Sequence, residues 1–297
     1  MENAITLIIS LFAALFANVT KKYYSGKNSG LYGGFFFNAV GCVTAAAVLL
    51  LWGGFGGLSA FSLILGIAFG AVTALQGICN IAALRCGPMS YTTVIISFAT
   101  VISAMTGVLF YNEQLHWAQI VGILFMLASF VFAADSNQNE KKANLKWLVL
   151  SVITFLATGA IGVMQKVHQS SHYRLELNGF LITAFISSAI FCAVFAVIIK
   201  SREVKKTKKP FALNKDAVTI LAVMLIGGLC VAVNNKLNLY LSGVMESAVF
   251  FPIVNGGGLV LATVTAVIAF KERLTKKQWL GVVLGIISVV FLCNPFS

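Results

Sequence analysis

Chemistry in this 297-residue chain has to be sought among a few polar side chains set in long apolar sequence. Gln76 and Asn80 are four residues apart and share one face of a helix. Asn234, Asn235, Lys236 and Asn238 make an unusually polar end to another apolar run. Asn18 is flanked by Ala17 and Val19, Asn255 lies between Pro252 and the triplet Gly256, Gly257, Gly258, and Glu246 is an isolated carboxylate just before an apolar stretch. Amides and a lone ammonium recognise polar solutes by hydrogen bonding; they do not break bonds. The remaining carboxylates are scattered, so no catalytic residue is assigned and an enzyme is not expected. A G-x-x-x-x-G-K-[ST] phosphate loop is lacking, so ATP is not expected to act directly. His168 and His172 are four apart in a polar connector and read as wet surface rather than a metal pair. Cys42, Cys79, Cys86, Cys192, Cys230 and Cys293 sit in or beside apolar runs without a C-x-x-C pair, as small packing residues do. No metal, disulfide or cofactor is expected.

The elements that carry these residues follow from composition. Only 10% of residues are charged, against roughly 25% in soluble domains, while 59% are hydrophobic. Mean hydropathy is +0.93. So little polar surface cannot cover so much apolar area in water, which excludes a soluble globular domain. Disorder requires low hydrophobicity and is excluded too. The net charge of +12 has almost no polar surface to sit on, so nucleic acid is not a partner. The bilayer is.

Uncharged runs cover residues 3–20, 28–84, 86–112, 117–134, 147–165, 177–199, 217–235, 247–270 and 278–297. One crossing takes about 20 apolar residues, so only 28–84 is too long for a single helix. It divides at Gly53-Gly54-Phe55-Gly56-Gly57, a turn-type cluster. The expected fold is therefore an all-α integral membrane protein with ten transmembrane helices. A β-barrel would alternate in segments of about ten residues, which runs such as 45–51 do not. The first run lacks a basic lead and a small-residue cleavage site, and is expected to remain as the first helix.

Given ten helices, 18 of the 21 Lys and Arg fall on one face, and Lys166, Arg174 and Lys236 on the other with both chain ends. The positive-inside rule puts the 18 in the cytoplasm and both termini outside, in a multi-pass protein of a bacterial plasma membrane. Lys205-Lys206-Thr207-Lys208-Lys209 in the longest loop is topogenic and suits anionic lipid.

The chain also repeats. Glu113, Leu115, Gln119 and Gly122 return as Glu272, Leu274, Gln278 and Gly281, each 159 residues later. This divides the chain into residues 1–136, a connection at 137–146, and residues 147–297. Five helices per half force the halves into opposite orientations, giving two inverted five-helix repeats, a mark of secondary transporters that bind substrate between their halves. The Glu-x-Leu ending the fourth and ninth spans, the Gln-x-x-Gly opening the fifth and tenth, and Phe251-Pro252 within the ninth resemble the EamA-type drug/metabolite transporter superfamily, over essentially the whole chain. Asn18 followed by Lys21-Lys22 is similar to that family's first-helix stretch, without its aromatic-Gly pair. Members usually keep both termini in the cytoplasm, the reverse of what the charges here indicate.

Within that frame, Asn18, Gln76, Asn80, Asn234, Asn235, Lys236 and Asn255 are the candidate substrate contacts, since polar groups in hydrocarbon are costly. Aligning Gly87 with Gly243 sets Asn80 opposite Lys236 in the repeat. For Asn80 and Asn234 interhelical hydrogen bonding is an equal alternative. Pro252 removes a backbone hydrogen bond, and three glycines weaken a helix by about 3 kcal/mol relative to alanine, so the ninth span is expected to kink or unwind at Pro252, Gly256, Gly257 and Gly258, as a hinge or substrate-facing break. Glu246 is the candidate coupling group. Gly66-x-x-x-Gly70 and Gly281-x-x-x-Gly285 read as packing seams, and Thr275-x-x-Gln278 as a capping box. Glu113 and Glu272 read as structural. Together these residues imply a secondary active transporter for a small polar metabolite working by alternating access. A multidrug or lipophilic-cation exporter is the alternative, and a non-transporting membrane scaffold a remote one. The expected partners are a small-molecule substrate and the lipid bilayer, the chain being a monomer or homodimer.

Overall fold

Hydrocarbon offers no hydrogen-bond partners, so an apolar chain satisfies its backbone by coiling into helices. The computed structural model describes residues 2–27, 31–87, 89–133, 144–207, 217–261, 264–265 and 275–293, and among them every regular element is helical. Glu272 and Leu274 of the second motif copy, Pro88, residues 137–143 of the connection, and Lys208, Lys209 and Lys215 lie outside the described residues.

The helices are α1 (Glu2–Lys27), α2 (Leu31–Gly53), α3 (Ala60–Cys86), α4 (Met89–Ser97), α5 (Ala99–Phe110), α6 (Trp117–Ala133), α7 (Leu145–Gln169), α8 (Leu177–Thr207), α9 (Ala217–Val244), α10 (Ser247–Pro252) and α11 (Lys276–Leu292). Six stretches are long and apolar enough to cross a membrane: Asn3–Lys21, Tyr32–Gly53, Ala60–Ala83, Leu145–Gln169, Arg174–Ser201 and Val218–Val244. Shorter apolar helices cover Val94–Phe110, Trp117–Phe132 and Ser247–Leu261. The protein is a multi-pass membrane protein.

Glycine ends α2 as expected: Gly54 and Gly56 adopt φ of +67° and +69°, which only glycine enters freely, and turn the chain towards α3. Two other spans depart from the expectation of single α-helices. The fourth is interrupted at Phe98, where Val101 N–H bonds Phe98 O three residues back, a local tightening that no Gly or Pro announces. The ninth does not unwind. Beyond α10 it widens into a π-helical turn, Ile253–Gly257, and resumes as α-helix at Gly258. The wider turn absorbs the proline's missing N–H without breaking the helix.

The helices fall into two compact units that cut across the sequence halves: residues 1–7, 75–171 and 239–297 form the first, residues 8–74 and 172–238 the second. In the first, α6 lies along α11, and α5 and α4 along α7. Lipid is as apolar as leucine, so close backbone approach and hydrogen bonds carry this packing. The Ser288 hydroxyl donates to Gly122 O, and the Ser129 hydroxyl donates to Gly281 O, each at 2.6 Å. Phe125 and Phe291 flank this seam with ring centroids 5.8 Å apart. In the second unit α2 lies along α8. Here Gly66 and Gly70 of α3 admit the backbone of Phe180 and Ala184 in α8, and Gly228 of α9 admits Gly41 and Thr44 of α2. Both predicted glycine seams therefore mark close contacts.

Candidate functional site

The first unit builds its polar cluster from the end of α5. Asn112 takes φ +53°, a left-handed conformation that asparagine tolerates better than most residues, and so turns the chain out of the helix. Glu113 N–H then bonds back to Gly107 O at 3.1 Å. The Glu113 side chain folds over Gly107, where any Cβ would strike its carboxylate. From there it pairs with Lys166 of α7 at 2.5 Å, the two side chains being only 13% and 7% exposed. It also accepts the Ser247 backbone N–H at 2.7 Å, the first free donor of α10, with the Ser247 hydroxyl at 3.4 Å. A carboxylate at a helix N-terminus is favoured by the helix dipole. Glu246, the residue that precedes α10, makes no such cap with its own side chain. Instead it accepts from Gln119 Nε2 at 2.8 Å, while Gln119 Oε1 accepts the His116 N–H at 3.0 Å. Lys166 completes the cluster by donating to Met245 O at 3.4 Å, with Tyr111 5.8 Å away beneath its ammonium.

Lys166 thus lies buried in an ion pair rather than on an external loop. His168 corrects the wet-surface expectation in the same way: it is fully buried in the last turn of α7, with Gln169 3.1 Å from its Nδ1, whereas His172 is exposed. A polar connector by composition becomes a buried helix end because its hydrogen-bonding groups find each other.

Along the ninth span, Pro252 is buried and the Asn255 amide donates to Thr100 Oγ1 of α5 at 2.9 Å although the residue is exposed. Gly256 packs against the Met126 thioether and Gly258 has open space where a side chain would stand. Gln76 Nε2 reaches Thr158 Oγ1 of α7 at 3.4 Å, and Asn80 is half-buried.

In the second unit, the Ser10 hydroxyl lies 2.5 Å from Asn238 Oδ1 and 3.1 Å from Asn234 Oδ1, and Asn238 Nδ2 donates to Asn234 Oδ1 at 3.2 Å. This three-residue network ties α9 to α1, the interhelical alternative for Asn234. Asn235 turns onto its own helix, donating to Val231 O. Lys236 stacks on Trp52 with Nζ 4.2 Å from the ring centroid. Asn18 is exposed on α1.

The residues proposed from sequence therefore divide between the units: Gln76, Asn80, Glu246, Pro252, Asn255 and Gly256–258 in the first, Asn18, Asn234, Asn235 and Lys236 in the second. Sequence reasoning passed over Ser10, Trp52, Thr100 and Asn178, which carry no pattern of their own. Their partners are 124 to 228 residues away, beyond any local periodicity.

The model of the EamA-like transporter family matches residues 2–134 and 145–294. An uncharacterized protein of Haemophilus influenzae is 24% identical over 191 residues, covering 62% of this chain and 59% of that protein. The chain thus spans about three fifths of the length of that relative. A solved crystal structure superposes with a TM-score of 0.73 at 13% identity, covering 97% of this chain and 96% of the solved one, a likeness of fold.

Proposed function

The chain belongs to the EamA-like transporter family, and from that premise we propose a secondary active transporter that moves a small polar metabolite, such as an amino acid or nucleobase, across a bacterial plasma membrane by alternating access. The architecture assigned to it is ten crossings in two inverted five-helix halves, residues 1–136 and 147–297. Two observations support the halves. The family match falls in two stretches on either side of the connection. The Ser288–Gly122 and Ser129–Gly281 bonds exchange partners at the repeat offset of 159 residues, the reciprocity that a local two-fold relation produces. With the basic loops in the cytoplasm, both termini lie outside.

The preference for a polar, zwitterionic or anionic solute over a lipophilic cation is carried by one observation. Among the described side chains the carboxylates are Glu113, Glu176 and Glu246, and each already accepts hydrogen bonds from the protein. A permanent cation would find none of them uncommitted, and desolvating it without a counter-charge is expensive.

Flux into proteoliposomes tests this reading. Amino acids, nucleobases and sugar phosphates should include a solute that accumulates, while a lipophilic phosphonium should not; phosphonium efflux driven by a proton gradient would replace the proposal with the exporter. Asn80→Ala and Asn234→Ala should each lower that flux, and unchanged flux in both would remove the amides from the site. For orientation, Thr207→Cys should be labelled by an impermeant maleimide from the cytoplasmic side; protection there would invert the topology.

A further inference from the structure

We propose that Lys236, seated on Trp52 beside Gly53 and Asn178, receives a carboxylate of the transported solute, which makes the substrate an organic acid or amino acid rather than an uncharged nucleobase or sugar. The proposal rests on the transport reading above and narrows its substrate class.

Lys236 stands eight residues before the end of the apolar span Val218–Val244, beside Trp52 and Gly53 at the end of the apolar span Tyr32–Gly53. An ammonium at such a place is costly unless it is partnered. Lys166, which is buried, has its acid in Glu113, whereas Lys236 is half-buried. Lys236 has no carboxylate partner among the described residues; its contact is the Trp52 ring.

The surroundings hold the ammonium in place without neutralising it. The chain leaves α2 through Gly53, and a Cβ there would meet the Asn178 amide and stand 3.5 Å from Lys236 Nζ, so the missing side chain is what lets the three groups converge. Asn178 Nδ2 donates to Gly54 O at 3.3 Å. Glu176 accepts from both Ser59 N–H and Ser59 Oγ–H, at 2.9 and 2.7 Å, pinning the far end of the same loop. The loop is thus tied at both ends to the 3₁₀ turn Arg174–Glu176 and the start of α8. The negative end of the α2 dipole offers Lys236 about half an elementary charge, and an aromatic face adds a weak attraction. Neither is a formal negative charge, so the ammonium keeps its charge for an outside anion. One ammonium supplies a single positive charge, which balances a singly charged carboxylate but not a phosphate of nearly two negative charges. Trp52 is 52% exposed, which leaves ring surface for the apolar body of a solute whose acid group lies on the lysine.

The experiment uses the full-length protein in nanodiscs of phosphatidylcholine alone, with melting temperature followed against acetate and acetamide, benzoate and benzamide, and inorganic phosphate. The acids should half-saturate at concentrations at least about tenfold below their amides, a difference of about 1.4 kcal/mol. Lys236→Gln should erase that difference, while Lys236→Arg, which keeps the charge, should hold it within about threefold and so exclude misfolding as the cause. Trp52→Leu should weaken benzoate more than acetate, by about fivefold. Acids and amides that act alike, an acid response that survives Lys236→Gln, or phosphate that saturates below both acids would each overturn the proposal. So would nanodiscs containing phosphatidylglycerol that show the lipid, rather than the acids, to be the ligand lost with Lys236. In proteoliposomes the two levels separate. A solute that accumulates equally in wild type and Lys236→Gln removes the carboxylate seat and leaves the transporter; acids that bind at Lys236 while no solute accumulates remove the transporter.

Discussion

The same four-residue pattern opens α6 and α11, and the two copies do opposite things with it. In the second, Thr275 Oγ1 accepts the Gln278 N–H and Gln278 Oε1 accepts the Thr275 N–H, a capping box closed on itself at an exposed helix start. In the first, His116 stands where the threonine would be, so Gln119 keeps only half the box. Its free Nε2 turns to Glu246, and Glu113 three residues upstream of His116 is bound to Lys166 and the start of α10. One copy caps a helix; the other joins three segments of the chain. Further along the same two helices, the Ser129 and Ser288 bonds remain interchangeable. Repetition thus persists where glycine and serine pack backbone against backbone, and is lost where charge is buried. Close packing tolerates few alternatives, whereas a single substitution at the capping position frees a side chain for a distant partner.

The largest break in this comparison should come from Lys166→Met. Glu113 would be left as a buried carboxylate without its cation, and SDS titration from mixed micelles should register a loss of about 3–5 kcal/mol. Adding Glu113→Gln should recover most of it, because removing both charges is far cheaper than removing one. A single-mutant loss below about 1 kcal/mol would place the pair in water and dissolve the contrast with the exposed copy.

A smaller effect should separate the two glutamine starts themselves. Gln119→Ala leaves both the His116 N–H and the Glu246 carboxylate short of a partner, a loss of about 1–3 kcal/mol. Thr275→Ala removes one exposed cap, a loss of about 1 kcal/mol or less. Equal losses would mean that the first copy is only a cap.

The smallest effect sharpens what the copies share. Ser129→Ala and Ser288→Ala should each lower stability by about 0.6 kcal/mol, the mean for hydrogen bonds between membrane helices. Their values should agree within about 0.5 kcal/mol, the accuracy with which independent sites compare. A clear inequality would show that the repeat offset in this seam carries no equivalence of environment.

Helices were legible wherever apolar runs were long, and the turn after α2 was legible from its glycines. Helix ends were legible where a local motif closes them, as Thr275-x-x-Gln278 does. The interruption at Phe98 was not, since residues 94–102 contain no helix breaker. The widened turn after Pro252 was foreseen as a departure from α-helix but not as a π-helical one, because the same missing N–H can be met by unwinding, kinking or widening. Among the polar candidates, Asn234 was visible as an amide in an apolar run, yet its engagement by Ser10 joins residues 224 apart in sequence.

The sequence by itself determined that this chain lives in a membrane as a bundle of helices, that it carries a repeat at 159 residues, and that its polar groups are few enough to name. Composition and period suffice for that, because hydrocarbon demands that every backbone group be satisfied internally and a long, non-alternating apolar run does so locally as a helix. Tertiary structure alone decided which of those groups hold each other. Glu113 and Lys166 were two charges at the ends of separate spans until α5 and α7 met, and Lys236 was left with no acid among the described residues only once its neighbours were Trp52 and Asn178. A charge in hydrocarbon is defined by what lies within about 4–6 Å of it, and that distance is set by packing, not by order along the chain.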